Sequence, residues 1–481
     1  MSQSERKGVD MTTGAIAPGL LTLAWPLVVG NLLQTVYNLA DMFWVGRVGS
    51  ASVAGVALMF PLAWMFISTA IGITAATIAL VSQYVGADRR READRVVAQS
   101  MLLATVVSFI LGALGWFFRH EILTLMGAEG AVFDEALAYI EVIFFALPFT
   151  FLFFAFRASL QGAGDTKTAM WLVLFSAGIN VIIDPFLILG WGPFPAMGTR
   201  GAGWATFISR GLATALGVLI LLNGSFGVRL YVRDLVPHRD TLVDLVRIGY
   251  PGSIDGWARS SAAVVMAALV TPFGEAAIAA YGIGVRLMSV SWTVSGAISD
   301  ATATGVGQNL GAGTPDRAER VTHVGVVGSM AILFAAGALC VLLPDLMMRI
   351  FIADEQVIQE GIIFLWIVAP FWAFFGGTMV IQGAFRGAGR TRVSMVLSML
   401  SRWVFRIPVA VLVAFSFTIV VPGTSLSIES LGIGVEGIWI GFSFGAFLTF
   451  LIAVAWFRLG TWREAVIDES PGPDADIGGM D

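Results

Sequence analysis

The sequence predicts an all-α polytopic membrane protein with twelve transmembrane helices, arranged as two six-helix bundles that are parallel repeats. Three observations carry this. The chain is 57% hydrophobic and 13% charged, about half the charge fraction of a soluble globular protein, and its mean hydropathy is +0.83. Apolar windows of about 20 residues, the length that crosses a bilayer, recur twelve times. Matching short motifs recur at one fixed separation of 225 residues.

In chain order, residues 1–16 form a polar tail. Spans are then predicted near 17–43, 52–81, 95–118, 134–157, 168–190 and 202–223. A basic linker, 224–240, leads to spans near 241–270, 277–306, 320–345, 358–384, 394–421 and 432–457. The two lobes are thus 17–223 and 241–458, and the acidic tail 459–481 is expected to be disordered. Several windows exceed the minimum length, which predicts tilt or kinks. Pro26, Pro61, Pro148, Pro251, Pro370 and Pro408 lie inside them, where neighbouring membrane helices tolerate a bend. Alternate loops are basic: Arg89, Arg90, Arg91 and Arg95 in one, Arg229, Arg233 and Arg239 in another, Arg386, Arg390 and Arg392 in a third. The intervening set holds Arg47, Arg119, Arg200 and the near-neutral segment Val421–Ser427. The positive-inside rule then places both termini in the cytoplasm and the chain in the plasma membrane as a multi-pass protein.

The repeat rests on several anchors that share the offset. Trp25-Pro26 matches Tyr250-Pro251, Gln83 and Ala87 match Gln308 and Ala312, and Gly162-Ala-Gly164 matches Gly387-Ala-Gly389. Each anchor is weak alone, but one common spacing indicates duplication. Repeats of six spans keep the same orientation, so the halves relate by an axis along the membrane normal and enclose a central cavity.

Composition also excludes functions. The basic residues lie in loops and make no nucleic-acid patch. Cys340 is the only cysteine, and His120, His238 and His323 are scattered, so neither a disulfide framework nor a metal-ligand spacing exists. No nucleophile–base arrangement points to an enzyme, and no cofactor is expected.

Polar residues inside apolar spans carry the functional signal. In the first span Gln34, Tyr37, Asn38 and Asp41 fall at i, i+3, i+4 and i+7, one helical face. In the fifth span Asn180 and Asp184 are i, i+4, with Pro185 following. A carboxylate at the bilayer centre costs roughly 2.5–3.5 kcal/mol, so it faces protein or water and is usually functional. At about 1.5 Å per residue, Asp41 and Asp184 reach one depth, and Thr206 starts the sixth span nearby. The duplication supplies a control: Asp41 corresponds to Met266, Asp184 to Val409 and Asn180 to Phe405. The acidic pair belongs to the first half alone. Such a pair can hold a proton, a sodium ion or an organic cation. The alternative is that it only hydrogen-bonds helix to helix. The second half carries Asp255, Arg286, Asp300, Arg402 and Arg406; mutual neutralisation is the default reading, with a gate or second ion path as the other.

With these residues in view, the chain over about 17–458 resembles the multidrug and toxic compound extrusion (MATE) family. The likeness rests on the twelve-span duplicated plan, the run ending Tyr37-Asn-Leu-Ala-Asp41, the loop Gln161–Gly164, and Asn180-Val-Ile-Ile-Asp184-Pro185, which is similar to the DinF-like prokaryotic branch. The resemblance implies a V-shaped two-lobe fold and antiport of amphipathic, often cationic, drug-like compounds against H⁺ or Na⁺. It implies a first-lobe cation site of Asp41, Asn180, Asp184 and Thr206, with Gln34, Tyr37 and Asn38 nearby. It implies that Pro26 lets the first helix bend when the acids protonate. Asp255 does not fit the position of the seventh-span Glu of the NorM-like branch, so the second-lobe ion site is not carried over. H⁺ is the preferred coupling ion, and Na⁺ at Asp41, Asn180, Asp184 and Thr206 the alternative. The partners expected are small molecules and the lipid bilayer, and a monomer is expected. The runner-up function is a flippase for a lipid-linked or polyisoprenoid substrate, kept open by Arg286, Arg402 and Arg406.

Overall fold

A computed structural model describes residues 8–224, 227–420 and 427–467. The first half contains α1 (Ile16–Gly46), α2 (Ser50–Leu58), α3 (Phe60–Gly86), α4 (Arg90–Phe117), the short α5 (Arg119–Leu125), α6 (Gly130–Gly162), α7 (Thr166–Leu189) and α8 (Thr199–Asn223). The second contains α9 (Arg239–Val270), α10 (Glu275–Gly311), α11 (Pro315–Leu342), the short α12 (Pro344–Arg349), α13 (Glu355–Val368) and α14 (Trp372–Gly387). It ends with α15 (Thr391–Met399), α16 (Ile407–Ala414), the strands β1 (Thr418–Val420) and β2 (Ser427–Glu429), and α17 (Glu436–Arg458). Eleven spans among the described residues are long and apolar enough to cross a membrane. The twelfth, α9, is long enough at 32 residues, but Arg247, Asp255 and Arg259 within it lower its hydropathy.

Proline punctuates the spans. Pro61 opens α3 just after the break at Met59, so the window 52–81 is two helices in line. Pro370 sits in the single 3-10 turn Ala369–Phe371 that joins α13 to α14, because proline lacks the donor that would continue an α-helix. The window 394–421 overshoots. Its helix stops at Ala414, and Thr418–Val420 pairs antiparallel with Ser427–Glu429. A β-branched apolar run reads equally well as buried helix or strand by hydropathy. Most of the loop Val421–Ser427 lies outside the described residues.

The halves meet at the end of the bundle that carries both chain termini, here called basal. There α3 and α10 cross reciprocally. A Cβ on Gly86 would lie 2.0 Å from the Gln308 carbonyl oxygen, and one on Gly311 would lie 1.9 Å from that of Gln83. Both pairs are related by the repeat offset, so one close contact is made twice. Above this seam α3 packs along α9 and α1 along α10. The most distal hydrogen bonds between the halves, among the described residues, are Ser253 Oγ to Thr69 O (3.4 Å) and Trp257 Nε1 to Met65 O (3.1 Å). Beyond that level no hydrogen bond links the halves among the described residues.

Both terminal segments seal the seam. Met11 N donates to Gln308 Oε1 (2.9 Å), Val9 N donates to Gly164 O (3.0 Å), and Arg317 donates to the carbonyls of Met11, Thr13 and Gly14. At the other end of the chain Val466 N donates to Gln83 Oε1 (2.8 Å). The two repeat-related glutamines thus each accept from one terminus. Residues 459–467, assigned by sequence to a disordered tail, are packed: Trp462 is buried and stacks on Phe457 at 4.5 Å. The acidic average of the tail masked a short apolar segment at its start. The remainder of the tail, 468–481, lies outside the described residues, as do 1–7.

If the seam depends on the two glycines, Gly86→Leu will open it. In a Cys340→Ser background, a cysteine at buried Thr304 is then expected to react with a membrane-impermeant maleimide about ten-fold faster, in line with its exposure on local opening. An unchanged labelling rate would show that the crossing tolerates a side chain.

Candidate functional site

The polar stripe of α1 divides by depth. Tyr37 and Asp41 are buried, Gln34 is half-buried, and Asn38 is exposed. Because α1 packs along α7, Asp41 meets the face that carries Asn180 and Asp184, both fully buried. Asp41 lies within electrostatic range of Asp184. From α8, the Thr206 hydroxyl lies 2.9 Å from the Tyr37 hydroxyl. The structure therefore brings Tyr37, Asp41, Asn180, Asp184 and Thr206 together. Gln34 Nε2 donates to Asn38 Oδ1 (3.2 Å), and Asn38, expected in the cavity, is exposed and outside this group.

What distinguishes the cluster is its unmade hydrogen bonds. Asp41 Oδ1, both carboxylate oxygens of Asp184, and both polar atoms of the Asn180 amide are buried without a protein partner. Buried polar atoms are ordinarily paired, and leaving one unpaired costs about 1–3 kcal/mol. Oxygens converging at such a cost suit a hard cation or a shared proton. Pro185 adds to the supply: it lies inside α7 and has no N–H to give the carbonyl of Val181. Among the described residues no group of three or more His, Cys, Asp or Glu could hold a metal ion.

Sequence reading missed two arginines of the first half. Arg210 on α8 is buried, donates to Gln34 Oε1 (2.9 Å), and lies over the rings of Phe153 (4.3 Å) and Tyr37 (5.6 Å). Arg157 on α6 donates to Asn31 Oδ1 (2.9 Å). The signal was available: each interrupts an apolar window, just as Asp41 does. Tyr139 on α6 also comes within electrostatic range of Asp41 and Asp184. Pro26 is buried within α1, which runs unbroken through it from Ile16 to Gly46.

The second half is built differently at the matching positions. Met266 is buried in an apolar cluster with Trp439 and Phe442. Asp300 pairs with Arg386 (2.9 Å) and Asp255 with Arg259 (2.7 Å). Arg402 donates to Ser398, and Arg406 lies over the Phe442 ring at 4.1 Å. Mutual neutralisation therefore holds for Asp255 and Asp300, with partners the sequence reading had not named, and leaves Arg402 and Arg406 without carboxylate hydrogen bonds. Arg286 is exposed on α10.

Two helical halves around a buried, asymmetric polar cluster define a polytopic membrane transporter, not an enzyme. The MatE family model matches residues 26–186 and 257–412, so the chain belongs to the MatE family. A probable multidrug resistance protein, YoeA, of Bacillus subtilis is 29% identical over 453 residues, covering 92% of this chain and 93% of that one. An FAD transporter of Shewanella oneidensis is 25% identical over 393 residues, covering 82% and 87%. Among solved structures, a MOP superfamily transporter from Pyrococcus furiosus, described as having a binding pocket of reverse polarity that suggests a different function, superposes with a TM-score of 0.85 at 24% identity. It covers 95% of this chain and 99% of that one, and it shares the fold.

Tyr37→Phe removes the hydroxyl in contact with Thr206 Oγ1. Thermal unfolding of the purified variant is expected to show a loss of about 1 kcal/mol, with Thr206→Val in the same background costing little more. Additive losses would mean the two hydroxyls act separately.

Proposed function

We propose that the protein is a secondary multidrug efflux antiporter, exporting amphipathic and often cationic compounds in exchange for H⁺ or Na⁺. The observation that carries this reading is the set of unpartnered buried oxygens on Asp41, Asn180 and Asp184. The names of its relatives as multidrug resistance proteins support the substrate class.

The basal end is the cytoplasmic one, because the arginine-rich loops lie there. The sealed basal seam and the unlinked distal halves correspond to a cavity open to the outside. Asp41 and Asp184 take up cation from that side. In an apolar cavity one charge between two carboxylates is far cheaper than two bare anions, so substrate cations and the coupling ion compete for one place. H⁺ is the preferred coupling ion; Asn180 and Thr206 supply the neutral oxygens that Na⁺ would use. Pro26 lies 15 residues before Asp41 in α1, about 22 Å along the helix, and is the point at which α1 bends as the acids are neutralised. The protein acts in the plasma membrane, works as a monomer and needs no cofactor.

Proteoliposomes given a pH gradient or a sodium gradient separately should expel a cationic dye under one and not the other. Asp41→Asn is expected to abolish that efflux, a loss of at least about ten-fold, equivalent to about 1.4 kcal/mol, while membrane insertion stays normal. Drug efflux at the parental rate in Asp41→Asn would remove the assignment.

A further inference from the structure

The second half holds a cation cluster that the efflux reading does not use. Arg259 on α9 and Arg402 and Arg406 in the stretch Leu400–Arg406 form one electrostatic group with a single carboxylate, Asp255. Trp403 Nε1 donates to Ala258 O (3.0 Å), which fixes the two elements at the same level. Asp255 is occupied by Arg259 at 2.7 Å. Arg402 bonds only neutral oxygens of Ser398. Arg406 is 8% exposed, and its Nε has no partner. Arg259 and Arg402 therefore share one carboxylate, and Arg406, within electrostatic range of Arg402, adds a third guanidinium with no carboxylate of its own among the described residues.

Local structure presents two of them together. Leu400–Arg406 is a π-helical stretch between α15 and α16, a wide turn that recurs at functional sites. Its residues 402 and 406 fall on one side. The floor beneath is aromatic: Arg406 lies over Phe442 at 4.1 Å, and Tyr281, within electrostatic range of Arg406, stacks on Trp439 at 5.8 Å.

The repeat shows that the charges are particular to this half. Arg259, Arg402 and Arg406 correspond to Gln34, Ala177 and Val181, whereas Met266 and Val409 stand where the first half has Asp41 and Asp184. The first half buries Arg210 and Arg157 as well, but in the same half as Asp41 and Asp184, which the second half replaces with Met266 and Val409. Excess buried cations in a low-dielectric span are compensated by an anion or by water, and guanidinium forks match phosphate and carboxylate oxygens.

We infer that Arg402 and Arg406, with Arg259 beside them, form an anion subsite, and that the protein carries amphipathic substrates bearing a phosphate or carboxylate on an aromatic body. This rests on the transport reading above and deepens it: cations are held by one half, anionic groups by the other.

The test is equilibrium binding to the purified protein in neutral maltoside detergent, read by flavin fluorescence. Riboflavin monophosphate and riboflavin share a ring and differ by the phosphate. The phosphorylated form is expected to bind about ten-fold more tightly. Arg402→Gln and Arg406→Gln should each erase most of that preference, while Arg406→Lys retains part of it. Dihexanoyl phosphatidic acid is the second arm: competition with the flavin phosphate shows that the subsite also takes a lipid headgroup, and no competition confines it to soluble esters. Equal affinity for the two flavins, or an undiminished preference in both glutamine variants recovered as monodisperse protein, overturns the inference. A missing preference in the parental protein together with an efflux-dead Asp41→Asn would sink the anion subsite and spare the efflux reading.

Discussion

The structure depends on a steric constraint. Two helices cross at the basal end so closely that each needs a glycine where the other presents a carbonyl: Gly86 against Gln308, Gly311 against Gln83. Because the two contacts are images of each other under the repeat, they lie about one pseudo-two-fold axis. The same glutamines then recruit the chain ends, Met11 at Gln308 and Val466 at Gln83. The hydrogen bonds between the halves gather at this basal end, while α3 against α9 and α1 against α10 carry the packing above it.

Within this symmetric frame the chemistry is asymmetric. One half spends the cost of unpaired buried oxygens on Asp41, Asn180 and Asp184. The other fills the matching space with Met266, Trp439 and Phe442 and places guanidinium groups a few turns away. Duplication gives two copies of a scaffold, and once the fold is secured by shared glycines and small residues, each inner face is free to take its own charge. The price of buried charge on both faces is tolerable only because the cavity, not lipid, receives it.

Much of this was legible in the sequence. The spans follow from hydropathy, since a bilayer demands helices of a set length. The offset of 225 residues exposes the duplication, and the i, i+3, i+4, i+7 stripe ending at Asp41 marks the site. Other parts were hidden for physical reasons. Thr418–Val420 reads as the end of a helix because apolar β-branched residues serve helix and strand alike. Arg157 and Arg210 escape notice because each is the one arginine of its apolar span, without a carboxylate four residues away such as Asn180 has in Asp184, although the rule for buried acids applies equally to buried bases. The docked tails were invisible to composition, because Met11 and the apolar residues of the short stretch 462–467 sit beside longer polar segments, and only the seam gives them a place to bury.

The docked ends also bear on how the chain is made. Residues 9–14 leave the ribosome well before their acceptors and donors, Gln308, Asn309 and Arg317, which are synthesised roughly three hundred residues later. Val466, which completes the matching contact at Gln83, follows α17. Closure of the bundle therefore waits for the second half, and the newly inserted first half must persist in the membrane as an unlatched intermediate until its counterpart arrives.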